Sequence, residues 1–152
     1  MPVLATNKRA LHNYEILETY EAGLVLSGPE VKSTKRGQID LRGSYIMVDK
    51  NQEAWLINTR IVPYPPAVSV QRNYNPTRNR KLLLHKKELV SLMGKLQQKG
   101  LTALPLKVYT KQKLIKIEIG ICRGKKKYDK RETIKKREVE RKIHRAFRDK
   151  NY

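Results

Sequence analysis

The chain is short of acidic residues and has almost no cysteine. Its 152 residues include 14 Asp and Glu against 34 Lys and Arg, which gives a formal net charge of +20 at pH 7. A positive charge of that size attracts phosphate polymers, and it would also attract an anionic membrane. Cys122 is the one cysteine, so no intrachain disulfide can form and an oxidising compartment is not indicated.

Long apolar runs are missing as well. No stretch approaches the roughly 20 apolar residues of a membrane-spanning helix, and no apolar signal-peptide segment follows Met1. These absences weaken the membrane alternative. The sequence therefore favours nucleic acid as the partner and predicts a cytoplasmic protein.

Residues suited to catalysis or metal binding are few and scattered. His12, His85 and His144 have no metal-ligand spacing to one another or to Cys122. No serine lies in a nucleophile-elbow pattern, and residues 123–126 lack the upstream glycine and the hydroxyl residue of a phosphate-binding loop. The sequence predicts no catalytic residue, no metal and no cofactor.

The last thirty residues, Arg123 to Tyr152, are the most basic part of the chain. They hold 14 Lys and Arg against 5 Asp and Glu, net +9, while the first 122 residues carry net +11. Their few apolar side chains cannot offset an ordering cost of roughly 1–2 kcal/mol per residue. Lys, Arg and Glu favour helix, however, so we expect this basic segment to become ordered as a helix when it binds a polyanion. The chain is therefore expected to consist of a folded body, 1–124, and a tail, 125–152.

The first half of the body is predicted to be mainly strand. Residues 1–13 should form a loosely packed arm, and Tyr14 to Leu26 one bent strand or two, with a bulge or kink at Gly23. Gly28-Pro29 favours a short helix, Glu30 to Arg36, ended by Gly37. A hairpin with strands at 45–48 and 54–57 follows.

The second half contains the clearest patterns. Ile61 to Pro66 should be a short strand and Gln71 to Arg80 a polar loop. Apolar residues recur with helical period in 84–99. Strands are predicted at 104–110 and at 115–122, where isoleucines alternate with other residues.

Sequential strands without crossover helices predict an antiparallel sheet. A mainly β, OB-type barrel with helices at its open end or side fits best. An open α+β sandwich is the alternative.

Binding residues are easier to find than catalytic ones. Residues 73–81 interleave an aromatic ring with cations and amides, a mixture that binds unpaired bases and phosphate. The same composition is equally typical of a solvated surface loop without a binding role. Glu21 is an acid on a basic surface. Such an acid is unfavourable there unless it accepts hydrogen bonds from base or sugar donors, or organises nearby Lys and Arg.

Several motifs follow one another in a fixed order. They are Asn7-Lys8-Arg9-Ala10-x-His12-x-Tyr14-x-Ile16, Glu21-Ala22-Gly23, Gly28-x-Glu30-Val31-Lys32-Ser33, Arg78-x-Arg80-Lys81-Leu82-Leu83-Leu84 and Gly124-Lys125-Lys126-x-Tyr128-Asp129-Lys130-Arg131. Each is weak alone. Together, from about Asn7 to the C-terminus, they strongly resemble the small protein B family, the bacterial tmRNA-binding (SsrA-binding) proteins of trans-translation.

The resemblance implies an OB-type barrel with about three helices and a basic C-terminal tail, disordered when free and helical when bound. It implies binding to the tRNA-like domain of tmRNA and delivery of that RNA to stalled ribosomes. The tail would occupy the decoding centre and the empty mRNA channel of the small subunit. Elongation factor Tu and alanyl-tRNA synthetase would be indirect partners through tmRNA.

The resemblance also implies specific contacts. The expected tmRNA face is Asn7, Lys8, Arg9, His12, Glu21, Lys32 and Leu83, with Arg80 and Lys81 as phosphate contacts. The expected ribosome contacts are Gly124, Lys125, Lys126, Tyr128, Asp129, Lys130 and Arg131, with Tyr128 stacking in the decoding centre.

Two motifs depart from the family pattern: Gly43 replaces the Asp of Asp-Ser-Tyr, and Tyr74-Asn75 replaces His-Asp in Asn-His-Asp-Pro. Two other function classes stay open, a general single-strand RNA-binding or ribosome-associated OB protein and an RNA-processing enzyme. No cluster of acids, His or Cys supports the enzyme.

Overall fold

The computed structural model describes residues 2–70 and 73–124. In these residues the chain forms nine strands, three α-helices and one 3-10 helix. In chain order the elements are β1 (Val3–Thr6), α1 (Lys8–Asn13), β2 (Tyr14–Leu24), α2 (Gly28–Lys35), β3 (Ile39–Asp40), β4 (Tyr45–Val48), β5 (Ala54–Ile57), β6 (Arg60–Ile61), the 3-10 helix (Pro65–Val70), β7 (Arg80–Leu83), α3 (Lys86–Leu96), β8 (Leu101–Lys111) and β9 (Leu114–Gly124).

Seven strands form one antiparallel sheet in the order β1-β8-β9-β2-β7-β5-β4, and β3 pairs with β6. The end strand β4 also contacts β8, so the sheet curls round on itself. The prediction of a mainly β, antiparallel, OB-type barrel with about three helices is confirmed. None of the helices in the described ranges is long and apolar enough to cross a membrane.

The core lies inside this curled sheet, and β9 shows how the sequence builds it. The alternating isoleucines of β9 are all buried in one cluster with residues of β2, β5, β7 and β8, because alternate side chains of a strand point to the same face. On the opposite face Leu106 lies against Gly120, where a Cβ atom would come within 2.7 Å of Leu106 Cδ1. Ala10, Leu104 and Cys122 complete this second cluster, which attaches α1 to the barrel.

The N-terminal residues are not a loose arm, and that prediction is wrong. β1 pairs with β8, with Ala5 opposite Val108. Asn7 then caps α1, since its Oδ1 accepts a hydrogen bond from the backbone N–H of Ala10 (3.2 Å) and its Nδ2 donates to the carbonyl of Pro105 (2.9 Å). An Asn directly before a helix is the local signal that identifies such a cap.

Two boundaries in the second half also differ from expectation. Arg80 was expected to end a loop, but it begins β7, between β2 and β5. The predicted strand 61–66 is reduced to the pair Arg60–Ile61, because Pro63, Pro65 and Pro66 cannot donate ladder hydrogen bonds. The helix predicted at 84–99 forms over Lys86–Leu96.

The remaining predictions for the body are close to the structure. α2 runs from Gly28 to Lys35 with a capping box between Ser27 and Glu30, and Gly37 follows it at a φ of +77°. The 45–57 hairpin forms with the predicted strands, and Tyr45 lies opposite Ile57. The irregularity of β2, however, falls between Ile16 and Glu18 rather than at Gly23.

Candidate nucleic-acid interface

Helix α1 presents a cationic cluster beside two surface grooves. Lys8 and Arg9 are exposed on its first turn. Arg9 lines a groove of about 390 Å³ together with Asn13, Tyr14 and Tyr45, and also a second groove of about 460 Å³ with Lys8 and Arg42. We call Lys8, Arg9 and Arg42 the α1 cluster. Lys8 and Arg9 suit phosphate contacts, and the guanidinium of Arg42 is paired with Asp40 at 2.9 Å.

The predicted site residues Asn7 and His12 are less exposed than this cluster. Asn7 is 5% exposed, and its side-chain amide already forms hydrogen bonds with the backbone of α1 and of β8. Asn7 nevertheless lines the groove of about 390 Å³ beside Arg9, so its contact with RNA stays a prediction. His12 is half-buried, and its Nδ1 atom has no hydrogen-bond partner among the described residues.

A second site lies where β2 meets β7 and β9. Gly23 is paired with Leu83 on one side and with Lys116 on the other. A Cβ atom on Gly23 would come within 3.3 Å of Leu83 Cβ, so glycine allows the Leu83 side chain to lie against the strand. The resulting groove of about 330 Å³ is lined by Glu21, Gly23, Leu83, Leu84, His85, Glu88 and Lys116. We call it the Gly23 groove.

Glu21 is held in a fixed position at this groove. The hydroxyl of Tyr109 donates to Glu21 Oε2, and Lys111 Nζ lies 3.2 Å from Oε1. The hydrogen bond from Tyr109 lowers the pKa of the Glu21 carboxyl, assisted by the hydrogen bond from Lys111. The pKa of Tyr109 is raised, first by burial and then by its hydrogen bond to Glu21. Glu21 is therefore an oriented, exposed carboxylate at neutral pH, able to accept further hydrogen bonds.

Arg80 does not contact solvent, which contradicts its prediction as a phosphate contact. Its side chain is 0% exposed and pairs with the equally buried Glu30 at 2.7 Å. Its Nε also donates to Glu30 (2.9 Å), and the remaining donors of its guanidinium bond to the carbonyls of Thr59, Arg78 and Pro76. A guanidinium whose donors are all used inside the protein has none left for an RNA phosphate.

Arg78 and Tyr74 complete the network around Glu30. The Tyr74 hydroxyl donates to Glu30 Oε2 (3.0 Å), and Arg78 forms an ion pair with the same carboxylate. Burial by itself would raise the pKa of Glu30. Hydrogen bonds from Arg78, the Ser27 N–H and Arg80 outweigh it and lower the pKa to about 2. Tyr74, one of the departures from the family pattern, is thus a structural residue that ties its loop to α2.

The other departure, Gly43, lies in a turn that only glycine adopts easily. Its φ is +74°. The backbone N–H of Arg42 donates to Asp40 Oδ1 at 2.9 Å, so Asp40 supplies a capping carboxylate for this turn.

Two further predicted cations lie elsewhere. Lys32 Nζ is 5.6 Å from the centre of the Tyr64 ring, on α2, and it lines neither the Gly23 groove nor the grooves beside α1. Lys81 is partly exposed on β7, with Nζ 3.6 Å from Glu53 Oε1. An exposed ion pair of this kind contributes little and leaves Lys81 able to exchange partners.

The fold thus brings Glu21 and Leu83 together and separates them from Lys8 and Arg9. The α1 cluster lies near the start of β2 and the Gly23 groove near its end, roughly 30 Å apart along an extended strand. The predicted ribosome contacts Lys125, Lys126, Tyr128, Asp129, Lys130 and Arg131 lie outside the described residues. Gly124 is the last residue of β9.

Sequence reasoning missed Lys116, Tyr109 and Lys111. The alternation of β9 buries Ile115 and Ile117 and so turns Lys116 to the outer face. Strand pairing, which the sequence does not give, places Lys116 beside Gly23 and Tyr109 beside Lys116.

The described residues contain no cluster of three or more His, Cys, Asp or Glu able to hold a metal. Cys122 is buried, and burial raises its pKa to about 11, which leaves it a neutral thiol at physiological pH.

The chain is similar to known proteins over nearly its whole length. A family model described as "SmpB protein" matches residues 4–149. A protein named SsrA-binding protein from Persephonella marina is 53% identical over 148 residues, covering 97% of this chain and 95% of that protein. The SsrA-binding protein of Coprothermobacter proteolyticus is 53% identical over 146 residues, with 95% and 96% covered. A solved structure described as "tmRNA-SmpB: a journey to the center of the bacterial ribosome" contains a chain that is 47% identical, with a TM-score of 0.66, covering 84% of this chain and 87% of that chain.

Proposed function

The chain belongs to the SmpB family, and we propose that it binds the tRNA-like domain of tmRNA and delivers that RNA to stalled ribosomes. One observation of the body carries the proposal. Glu21 and Leu83, an acid and an apolar residue far apart in sequence, meet around Gly23 beside Lys116. Neither is cationic, so the groove offers a means of choosing an RNA by shape and hydrogen bonding.

The two parts of the interface act differently. The α1 cluster supplies phosphate contacts, which give affinity and orientation without sequence information. The Gly23 groove supplies an apolar surface at Leu83 and a carboxylate acceptor at Glu21, which suit an unpaired base or a ribose of a folded RNA loop. Lys81 lies between them as a further phosphate contact.

The tail, 125–152, serves the ribosome in this proposal. Its charge supports the assignment, because mutual repulsion of its cations opposes a compact form in water and ribosomal phosphate removes that repulsion. Gly124 ends the barrel, Tyr128 stacks in the decoding centre and Asp129-Lys130-Arg131 supports accommodation. The residues beyond occupy the empty mRNA channel as a helix.

The protein acts by binding and catalyses no reaction in this proposal. It works in the cytoplasm, where tmRNA and ribosomes are found. Elongation factor Tu and alanyl-tRNA synthetase reach it only through their own contacts with tmRNA.

Removing the tail tests the two-part division. A chain cut after Gly124 should keep its affinity for the tRNA-like domain and lose peptide tagging in a reconstituted translation reaction on stalled ribosomes. The full-length variant Tyr128→Ala keeps the net charge and should also bind normally while tagging poorly. Full tagging by the cut chain would show that the tail is not needed.

Competition separates this function from general RNA binding. At physiological salt, tmRNA should displace a labelled tRNA-like domain at a lower concentration than unrelated RNA of equal length. Equal displacement by both would favour the general single-strand RNA-binding protein.

A further inference from the structure

The outer face of strands β4, β5 and β7 carries a row of exposed and half-buried side chains between the two parts of the interface. On β4, Tyr45 is 40% exposed and Met47 is 42% exposed, while Ile46 between them is buried. Met47 is paired with Trp55 of β5, and Trp55 is paired with Lys81 of β7. We call Tyr45, Met47, Trp55 and Lys81 the outer strip.

The outer strip is continuous with both parts of the interface. Leu83, two residues beyond Lys81 on the same strand, faces the same side and lines the Gly23 groove. At the other end Tyr45 lines the same groove as Arg9. The strip is therefore the path over the barrel surface from one RNA-contacting region to the other.

Its chemistry suits unpaired nucleotides. Aromatic rings flanked by a cation bind successive bases by stacking and their phosphates by charge. The Nε1–H of Trp55 donates to Asp49 Oδ2 at 2.8 Å, so the indole is held in place before any ligand arrives. Among the described residues, Lys81 forms its ion pair with the partly exposed Glu53.

Charge favours RNA over the chain's own basic tail as the partner that covers the outer strip. The chain carries net +20, and its tail carries the greatest density of that charge, so docking the tail on this strip would bring cations towards Lys81. A phosphate chain brings the opposite sign.

We infer that the outer strip is an additional RNA-binding surface, on which unpaired nucleotides of the same bound RNA stack between the α1 cluster and the Gly23 groove. This inference rests on the proposed function, because it needs an RNA held at both ends of the strip.

Trp55 offers a direct test, because it is the only tryptophan of the chain. Its emission is recorded in the full-length protein while a transcript of the tRNA-like domain is titrated in, and a gel shift of the same samples measures the bound fraction. We expect quenching of Trp55 emission in proportion to that fraction. Unchanged emission in a saturated complex would overturn the inference and leave the proposed function standing, whereas no gel shift at all would contradict the proposed function itself.

A double variant, Tyr45→Ala with Met47→Ala, tests the strip without changing charge. Loss of a stacked base should weaken binding of the transcript roughly fivefold or more, with the salt dependence unchanged. The matched control is Val62→Ala with Val90→Ala, two exposed apolar residues, one directly after β6 and one on α3. Urea unfolding confirms that both variants fold. Equal affinity of the two double variants would remove the strip from the interface.

Discussion

The clusters around Glu30 and around Glu21 use similar residues for opposite purposes. Both pair a glutamate with a tyrosine hydroxyl and with cations. Around Glu30 the acid and Arg80 have no exposed surface, and every partner belongs to the protein. Around Glu21 the acid is exposed at the rim of a groove, and its partners leave acceptor capacity unused.

The comparison shows that exposure, more than residue type, separates a structural ion network from a binding site. The Glu30 network holds α2 to the loop 73–79 and to β7, and β7 in turn carries Leu83. The Glu21 cluster depends on that frame, because Leu83 reaches the groove only if β7 pairs with β2. One cluster therefore positions the other.

The largest expected effect comes from breaking the Glu30 network. Glu30→Gln leaves the buried Arg80 guanidinium without its counter-charge, so the free energy of unfolding should fall by about 3–5 kcal/mol. Urea unfolding at pH 7 measures it. Glu118→Gln is the control, since Glu118 lies in a partly exposed ion pair with Lys107 and should change stability by less than about 1 kcal/mol. A loss as small as that of the control would show that the buried network contributes no stability.

The same variant should remove an acid transition. The pKa of Glu30 is about 2 in the fold against the usual 4.5, so the unfolded chain binds the extra proton in acid. The ionised Glu30 carboxylate contributes roughly 3 kcal/mol to the free energy of unfolding. This contribution is fully present above pH 4.5 and is lost as the pH falls towards 2. Urea midpoints measured between pH 5 and 3 should therefore fall less in Glu30→Gln than in the unchanged chain.

A smaller effect is expected at the groove, and it should appear in binding rather than stability. Glu21→Gln replaces one acceptor oxygen by a donor, so affinity for the tRNA-like domain should fall roughly tenfold, the cost of one mismatched polar contact. Fluorescence anisotropy with a labelled transcript measures it. Glu118→Gln, opposite Glu21 on β9 and outside the groove, carries the same charge change. If both variants bind alike, Glu21 acts only through its charge.

Much of the barrel could be predicted from sequence because its patterns are local. The isoleucines of β9, the 45–57 hairpin and the helices α2 and α3 each carry their own period or their own end signals. The family resemblance, drawn from motifs spread along the chain, is confirmed by the match over residues 4–149.

The errors arose where a polar residue occupies a core position. Arg80 interrupts the alternation of β7 with a charge, so the strand resembled the end of a loop. Only the pairing with Glu30, fifty positions earlier, makes that burial possible. The burial of Asn7 was missed for a similar reason, since its partner in β8 is distant in sequence. Glu21 and Leu83 could be named from motifs, but their meeting at Gly23 depends on strand order.

The most direct test of the division between charge and shape is the salt dependence of binding. Affinity for the tRNA-like domain is measured at several salt concentrations for the unchanged chain, Arg9→Gln and Leu83→Ala. Arg9→Gln should make the log–log slope shallower by about 0.7–0.9, the value of one phosphate contact. Leu83→Ala should lower affinity at every salt concentration with a slope parallel to that of the unchanged chain. A line for Leu83→Ala that coincides with the unchanged chain would contradict the assignment of the Gly23 groove to tmRNA.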